Sequence, residues 1–374
     1  MKIAVLGHLR FPIKEPFAGG LEHFTYTLVR GLEKRGCEVT LFADPDSDRT
    51  LPLAKQPVFD TSFCLTYEEK SHESYLNIMD YLSREDFDLI HDNSLNYFPL
   101  VLEAELNAPL VTTLHTPPFP RLLSGVRYQQ RKNRGCYISV SRFNSKLWGL
   151  EQNNLKVIHN GVDTEVFTYN GSNVKDYALW TGRIIPEKGT HLAIAAAQKA
   201  GIDLVIAGPK SDRLYWQQQI APYLGKGVIY AGHLEKTELV ALLNSAAVTL
   251  CTPVWSEPFG LVVIESLACG TPVVAFNRGA ISEILNKDTG ILVTPEDTDA
   301  MAEGIKKAFS LSGDACRKLA VENFSLDTML DRYIAAYKSI IQQYKKGFAV
   351  NHHFEDRHSW REKDAHRLLR TPSR

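Results

Sequence analysis

The chain has 374 residues, which at about 150 residues per domain predicts two domains with a cleft between them. Its 42 basic and 43 acidic residues leave a formal net charge of -1, so composition gives no support to a nucleic-acid surface or an acidic partner. No apolar stretch approaches the ~20 residues of a membrane span.

The N-terminus and the cysteines predict the compartment. A single lysine and a short apolar run precede Gly7, which indicates a first strand and not a signal peptide. The six cysteines include no CxxC pair, and several fall in apolar runs, as buried thiols in a reducing compartment do. We therefore expect a cytoplasmic protein.

Short apolar runs alternate with helix-period segments along the chain. This alternation predicts parallel α/β architecture, with two Rossmann-like doubly wound domains facing across a cleft. We expect a first domain over residues 1–165 and a second over 166–324, joined near a polar turn at 159–167. The predicted strands are 2–6, 38–43, 87–91, 110–114, 137–140 and 156–159, then 177–181, 203–207, 228–231, 248–251, 272–276 and 291–293.

Two glycines and two histidines of the first domain are candidate ligand contacts. Gly19 and Gly20 follow the first strand and open a helix, where a ligand can approach backbone amides closely. His91 and His115 end strands, and strand carboxyl ends line the ligand crevice of open α/β sheets. The order of glycines is not GxGxxG, which argues against a dinucleotide oxidoreductase.

Two cations follow the first strand of the second domain. Lys188 precedes a helix start, where a cation is unfavourable unless an anion is shared, and Arg183 stands at the strand end. Together they resemble a diphosphate clamp. Gly208, Gly232 and His233 end neighbouring strands at the same edge and are candidates for the base pocket.

The run from Trp255 to Gly270 carries two acids where a core would tolerate none. Glu265 lies at the edge of a helical apolar stripe, where a carboxylate costs several kcal/mol unless donors satisfy it. A sugar or ribose diol is a natural partner with two donors. Glu257 precedes the helix start, beside the free amides of Gly260 and Leu261, which can hold a phosphate or a sugar oxygen.

Several other functions lack their motifs. HExxH, GxSxG and GxxxxGK[ST] are absent, which removes the commonest metalloprotease, hydrolase and NTPase interpretations. Two DxD patterns, 44–46 and 86–88, are discounted as metal ligands because so short a pattern arises often by chance. No spaced Cys/His zinc set occurs, so we expect no metal.

The C-terminal segment combines a long helix and a polar tail. Ser325 is a plausible N-cap of a helix over 325–346, whose apolar residues recur at three- and four-residue spacing. Residues 347–374 are polar and predicted to be disordered, with a weak peripheral membrane contact as the rarer interpretation.

Taken in order, these motifs resemble glycosyltransferase family 4, the retaining enzymes of the GT-B fold. The resemblance rests on 19–22, His115, 160–163 with Phe167, 182–189 and 257–265, and covers residues 1 to about 345.

The resemblance implies a nucleotide sugar bound mainly by the second domain, an acceptor entering from the first, and a C-terminal helix crossing back to the first domain. Arg183 and Lys188 would hold the diphosphate, Glu265 the ribose, and His115 the sugar near its reacting carbon. Glu257, with the amides of Phe259, Gly260 and Leu261, would hold sugar hydroxyls, and Gly20 would lie against the diphosphate. It also implies hexose transfer with retention and without a metal or cofactor.

Alternatives stay open at this point. A nucleotide-sugar epimerase, a phosphorylase or a non-catalytic nucleotide-sugar sensor would use the same fold. The donor nucleotide, for which we expect UDP or GDP, and the acceptor, whether glycan, lipid-linked or a small molecule, are not encoded in any readable motif.

Overall fold

A computed structural model of the chain describes residues 1–55, 66–150, 155–171 and 177–351. Cys64, residues 172–176 of the low-hydrophobicity stretch 169–176 that the sequence indicates as the linker, and the tail beyond Asn351 lie outside those residues.

The first half of the chain forms a parallel sheet of six strands in the order β2-β1-β3-β4-β5-β6. The order reverses at β1, which creates a crevice at the carboxyl ends of β1 and β3. The strands are β1 (Lys2–Leu6), β2 (Glu38–Phe42), β3 (Leu89–Asp92), β4 (Leu110–Leu114), β5 (Cys136–Ser139) and β6 (Leu155–Val157). The helices are α1 (Gly20–Lys34), α2 (Tyr67–Leu82), α3 (Phe98–Val101), α4 (Pro120–Arg131) and α5 (Arg142–Trp148).

The second half forms another six-stranded parallel sheet, in the order β12-β11-β10-β7-β8-β9. Its strands are β7 (Tyr177–Thr181), β8 (Asp203–Ala207), β9 (Val228–Gly232), β10 (Val248–Cys251), β11 (Val273–Phe276) and β12 (Gly290–Val293). Its helices are α6 (Thr190–Ala200), α7 (Arg213–Tyr215), α8 (Lys236–Ser245), α9 (Leu261–Ala268), α10 (Thr298–Ala308) and α11 (Gly313–Phe324).

The prediction of two doubly wound α/β domains is therefore confirmed. Strand bounds agree with the predicted ones or differ from them by one or two residues, the ordinary scatter of strand ends. The short runs are apolar on both faces because helices cover both faces of a parallel sheet.

The last helix, α12 (Leu326–Asn351), returns to the first domain, as expected. Ser325 caps it, with Oγ accepting from the Thr328 amide at 3.3 Å. Leu330, Tyr333 and Tyr337 are fully buried in the core that also holds Leu28 and Leu32 of α1. The helix continues past the predicted end at 346, because one glycine at 347 costs only about 1 kcal/mol in a helix that is already packed.

The two crossings between the domains lie side by side. The Val162 amide donates to the Phe324 carbonyl at 2.8 Å, and the Leu326 amide donates to the Val162 carbonyl at 2.8 Å. Arg317 of α11 donates to the carbonyls of Thr164 and Ala268, both at 2.8 Å. The segment that leads from the first domain into the second is therefore also held by a side chain of the second domain.

Among the described residues, no helix combines the length and the apolar character that crossing a membrane requires.

Candidate active site

A cavity of about 460 Å³ lies between the domains, at the strand carboxyl ends where the sequence placed a cleft. Its first-domain wall comes from the loops after β1 and β4 and the start of α1. Its second-domain wall comes from the loops after β7, β8, β9 and β10. The predicted site residues that line it are Gly19, Gly20, His115, Arg183, Lys188, Gly208, His233, Glu257, Phe259, Gly260, Leu261 and Glu265.

Gly232 and His91 do not line this cavity, which corrects two sequence expectations. Gly232 ends β9, and its carbonyl accepts from the Gly208 amide at 2.7 Å. This bond holds the loop after β8 at the carboxyl edge of the sheet. His91 lies within β3 and is fully buried under α12, where Nε2 pairs with the Thr113 hydroxyl at 2.7 Å and Nδ1 pairs with the Tyr337 hydroxyl. Burial lowers the pKa of His91 to about 3, so it is a neutral core histidine.

The two glutamates are buried on the second-domain wall, with 8% of Glu257 and 7% of Glu265 exposed. Glu257 Oε2 accepts from Lys188 Nζ at 2.6 Å and from Trp255 Nε1 at 2.9 Å. Glu265 Oε1 lies 3.5 Å from His23 Nδ1, which belongs to the first domain. The Lys188–Glu257 pair was not foreseen, because the sequence assigned Lys188 to an anion alone.

Backbone close to Glu257 holds its loop in place. The Ala280 amide donates to the Glu257 carbonyl at 2.9 Å. Gly279 has a φ of +72°, and a side chain there would place Cβ 2.2 Å from the same carbonyl oxygen. Gly260, with a φ of +108°, is the N-cap of α9, and the first two residues of that helix, Leu261 and Val262, line the cavity with amides that have no partner inside the helix. This arrangement suits an oxyanion or a sugar hydroxyl.

Arg183 reaches toward the first domain. A Cβ built on Gly19 would lie 3.7 Å from Arg183 Nε and 3.2 Å from Glu22 Oε2. Burial raises the pKa of Glu22, and the charge of Arg183 partly opposes that rise. Gly20 also abuts the second domain, since a Cβ there would lie 2.9 Å from Leu261 Cδ1. The two glycines therefore leave room for second-domain side chains against the start of α1, and the approach of a ligand to their amides stays a prediction.

His115 belongs to the first-domain wall, and its Nε2 pairs with Asn93 Oδ1 at 2.8 Å. Burial lowers the pKa of His115 to about 3, so near neutral pH the ring acts through hydrogen bonding and not through charge. Nearby, Asn93 Nδ2, Thr116 Oγ1 and Asn160 Oδ1 are buried and have no hydrogen-bond partner among the described residues. Buried polar atoms of this kind require a partner, and Thr116 and Asn160 line the cavity.

The first-domain loop before α1 contacts the second domain at two further points. Glu15 Oε1 lies 2.7 Å from Lys236 Nζ, and His233 Nε2 lies 3.0 Å from the Phe17 carbonyl. His233 thus sits at the cavity wall and between the domains at once. Sequence reasoning missed His23, Trp255 and Lys236 as cavity residues; the available signal was that His23 and Trp255 stand within three residues of motif positions.

The turn after Lys188 is held by a contact that only glycine permits. Gly189 has a φ of +66°, and a Cβ there would lie 2.0 Å from the Thr252 carbonyl oxygen. Gly201 has a nearly equal φ of +70°, but nothing lies within 4 Å of its Cβ position.

We expect Gly189→Ala to lower the free energy of unfolding by about 3 kcal/mol or more, and Gly201→Ala by only about 1 kcal/mol. Both variants introduce the same backbone strain, and only the first adds a collision. Denaturant unfolding of the two variants measures the difference. Equal losses in the free energy of unfolding would show that the backbone around Thr252 moves away from an added Cβ at position 189 without cost.

Within the described ranges, no group of three or more His, Cys, Asp or Glu side chains is arranged to hold a metal ion.

Two doubly wound domains, with cations and buried carboxylates meeting between them, define a glycosyltransferase of the GT-B fold. The pattern of the family described as "Glycosyltransferase Family 4" matches residues 18–166, and that of "Glycosyl transferases group 1" matches residues 164–323. The chain belongs to this family, the group 1 glycosyltransferases of family 4.

Similar proteins agree with this assignment. A glycogen synthase of Mycobacterium tuberculosis is 28% identical over 73% of this chain and 74% of its own length. AviGT4, a glycosyltransferase involved in avilamycin A biosynthesis, superposes with a TM-score of 0.71 at 25% identity, over 91% of this chain and 98% of its own. Anabaena Alr3699/HepE, solved in complex with UDP-glucose, superposes with a TM-score of 0.73 at 21% identity, over 91% of this chain and 100% of its own, and supports the fold alone.

Proposed function

We propose that this glycosyltransferase moves a hexose-type sugar from a nucleoside diphosphate sugar, UDP- or GDP-linked, to an acceptor hydroxyl with retention of anomeric configuration. The observation that carries the proposal is the cavity between the domains, which is lined by Arg183 and Lys188 together with the buried Glu257 and Glu265. Cations suit a diphosphate, and buried carboxylates suit hydroxyl donors. Glu257 and Lys188 already pair at 2.6 Å, so a bound donor would insert its sugar and diphosphate around that pair.

Each wall has a distinct role in the proposal. The second domain holds the donor: Arg183 and Lys188 take the diphosphate, Glu265 the ribose diol, and Glu257 with the start of α9 the sugar hydroxyls. Gly208 and His233 border the base. The first domain presents the acceptor beside His115, and Gly19 and Gly20 lie against the diphosphate. The boundary near residue 165 between these two roles stays a prediction.

The reaction we propose is a front-face displacement. The bond from the anomeric carbon to the diphosphate oxygen breaks, the acceptor oxygen bonds to that carbon on the same face, and the acceptor proton passes to the departing phosphate. Neutral His115 contacts the sugar next to the reacting carbon. Charge grows on the leaving diphosphate, where Arg183, Lys188 and the helix amides can stabilise it without a metal ion. A cytoplasmic location is part of the same proposal.

A panel of nucleoside diphosphates in a thermal-shift assay tests the donor class. A ligand present at about 100 times its Kd stabilises the folded protein by about 2.7 kcal/mol, and we expect this for one diphosphate and much less for its nucleoside. Turnover with the corresponding sugar nucleotides follows. If no nucleoside diphosphate raises Tm, the donor assignment is wrong. Sugar-nucleotide conversion without any acceptor would favour an epimerase, and binding without turnover a sensor.

A further inference from the structure

A buried serine joins the two domains beneath the cavity. Ser141 follows β5 of the first domain and has no exposed surface. Its hydroxyl donates to the Pro258 carbonyl of the second domain at 2.6 Å and accepts from the Asn144 amide at 2.9 Å. The same hydroxyl therefore caps α5 and binds the loop that carries Glu257.

The connection extends to His115 on the other side. Asn144 Nδ2 donates to the Leu114 carbonyl at 2.8 Å. Leu114 directly precedes His115, and Pro258 directly follows Glu257. Three hydrogen bonds thus link the backbone next to His115 with the backbone next to Glu257.

A second contact strengthens this link. Glu283 of the second domain accepts from the amides of Arg142 and Phe143, at 2.9 and 2.6 Å, where α5 begins. Glu283 follows the turn in which Ala280 holds the Glu257 carbonyl. Carboxylate bonds to helix-start amides are charge-assisted, so they hold α5 and this turn together.

We infer that Ser141 is a positioning residue for sugar transfer. It sets the distance between the Glu257 loop and His115, so that the donor on the second-domain wall is aligned with the acceptor on the first-domain wall. The inference rests on the proposed function. The donor's predicted contacts lie almost wholly in the second domain, so loss of the bridge leaves donor affinity intact while it misaligns the acceptor. Displacements of this kind at reacting groups lower turnover.

Three variants separate positioning from folding. In Ser141→Gly, the glycine caps a helix nearly as well as serine does, but it has no hydroxyl group to donate to the Pro258 carbonyl. Ser141→Thr keeps the hydroxyl group, so we expect it to make both bonds. Ser312→Gly is the matched control, since Ser312 caps α11 through the Ala315 amide and is exposed.

We expect Ser141→Gly to lower kcat about tenfold at saturating donor, with the Kd for the nucleoside diphosphate within about twofold of the wild type. Threonine should restore kcat, and Ser312→Gly should not change it. An unchanged kcat in Ser141→Gly overturns the inference, and so does an equal loss in Kd, which would mean that the serine only supports the donor loop.

Hydrogen exchange of residues 257–262 tests the bridge without turnover. Exchange should be faster in Ser141→Gly than in the wild type and unchanged in Ser312→Gly. If the wild type transfers no sugar from any donor, the proposed function fails. Exchange alone then decides whether Ser141 fixes this loop, and equal rates overturn the inference.

Discussion

Replacing Lys188 by alanine is expected to lower kcat by about 10²–10³-fold while it weakens donor binding less than tenfold, the effect of removing one preorganised group that stabilises developing charge. The charge on the departing diphosphate is largest in the transition state, so the lost interaction is largest there. The ammonium group lies on the cavity wall, 2.6 Å from Glu257 and 5.0 Å from the centre of the Trp255 ring. Steady-state kinetics together with calorimetric donor binding measure the two effects separately.

Lys199→Ala is the matched control for this prediction. Lys199 lies on α6, its side chain is 43% exposed, and it pairs with Asp299 at 2.8 Å on the surface. Its loss should leave both kcat and donor affinity unchanged, since exposed pairs contribute little. A normal turnover number in Lys188→Ala would refute the diphosphate clamp.

Glu265→Ala is expected to raise the KM for the donor about 10²- to 10⁴-fold with a much smaller change in kcat. Two hydrogen bonds from a ribose diol to a carboxylate contribute roughly 1.5–3 kcal/mol each, and their contribution is the same in the bound substrate and the transition state. Glu265 is buried and its carboxylate lies next to His23, so Glu265→Ala also removes the contact between that carboxylate and His23 Nδ1. Initial rates over a range of donor concentrations check the prediction.

The control here is Glu322→Ala, an exposed glutamate of α11 whose oxygen lies 4.0 Å from Lys318 Nζ. It should behave as the wild type. If Glu265→Ala instead abolished kcat and left KM unchanged, Glu265 would act in proton transfer, and the ribose assignment would have to be abandoned.

Sequence periodicity predicted both sheets, and the motifs at strand ends and helix starts pointed to candidate residues of which all but Gly232 and His91 line the cavity, because both signals are local properties of the chain. Glu257 and Glu265 were noticed because acids in an apolar run are costly, and the structure buries both. The strand-end rule was wrong for His91. A helix more than two hundred residues later in the chain covers this histidine with Tyr333 and Tyr337. No residue close to His91 in the sequence indicates that α12 packs over it.

The contacts between domains were beyond sequence reasoning for the same reason. The bonds from Ser141 to Pro258 and from His233 to the Phe17 carbonyl depend on the relative orientation of two separately folded sheets. The Lys188–Glu257 pair lies within one domain, but it joins two loops that approach only once β7 and β10 are paired.

The return of α12 to the first domain bears on how the chain is made. Leu330, Tyr333, Tyr337 and Ile340 belong to the core beside β1 and α1, although they are among the last described residues to leave the ribosome. The second domain can complete its own sheet while that face of the first is still uncovered. Synthesis therefore starts the first domain early and finishes it last, and a chain cut before α12 would expose Leu28 and Leu32, which lie in one core with Tyr333 in the folded protein.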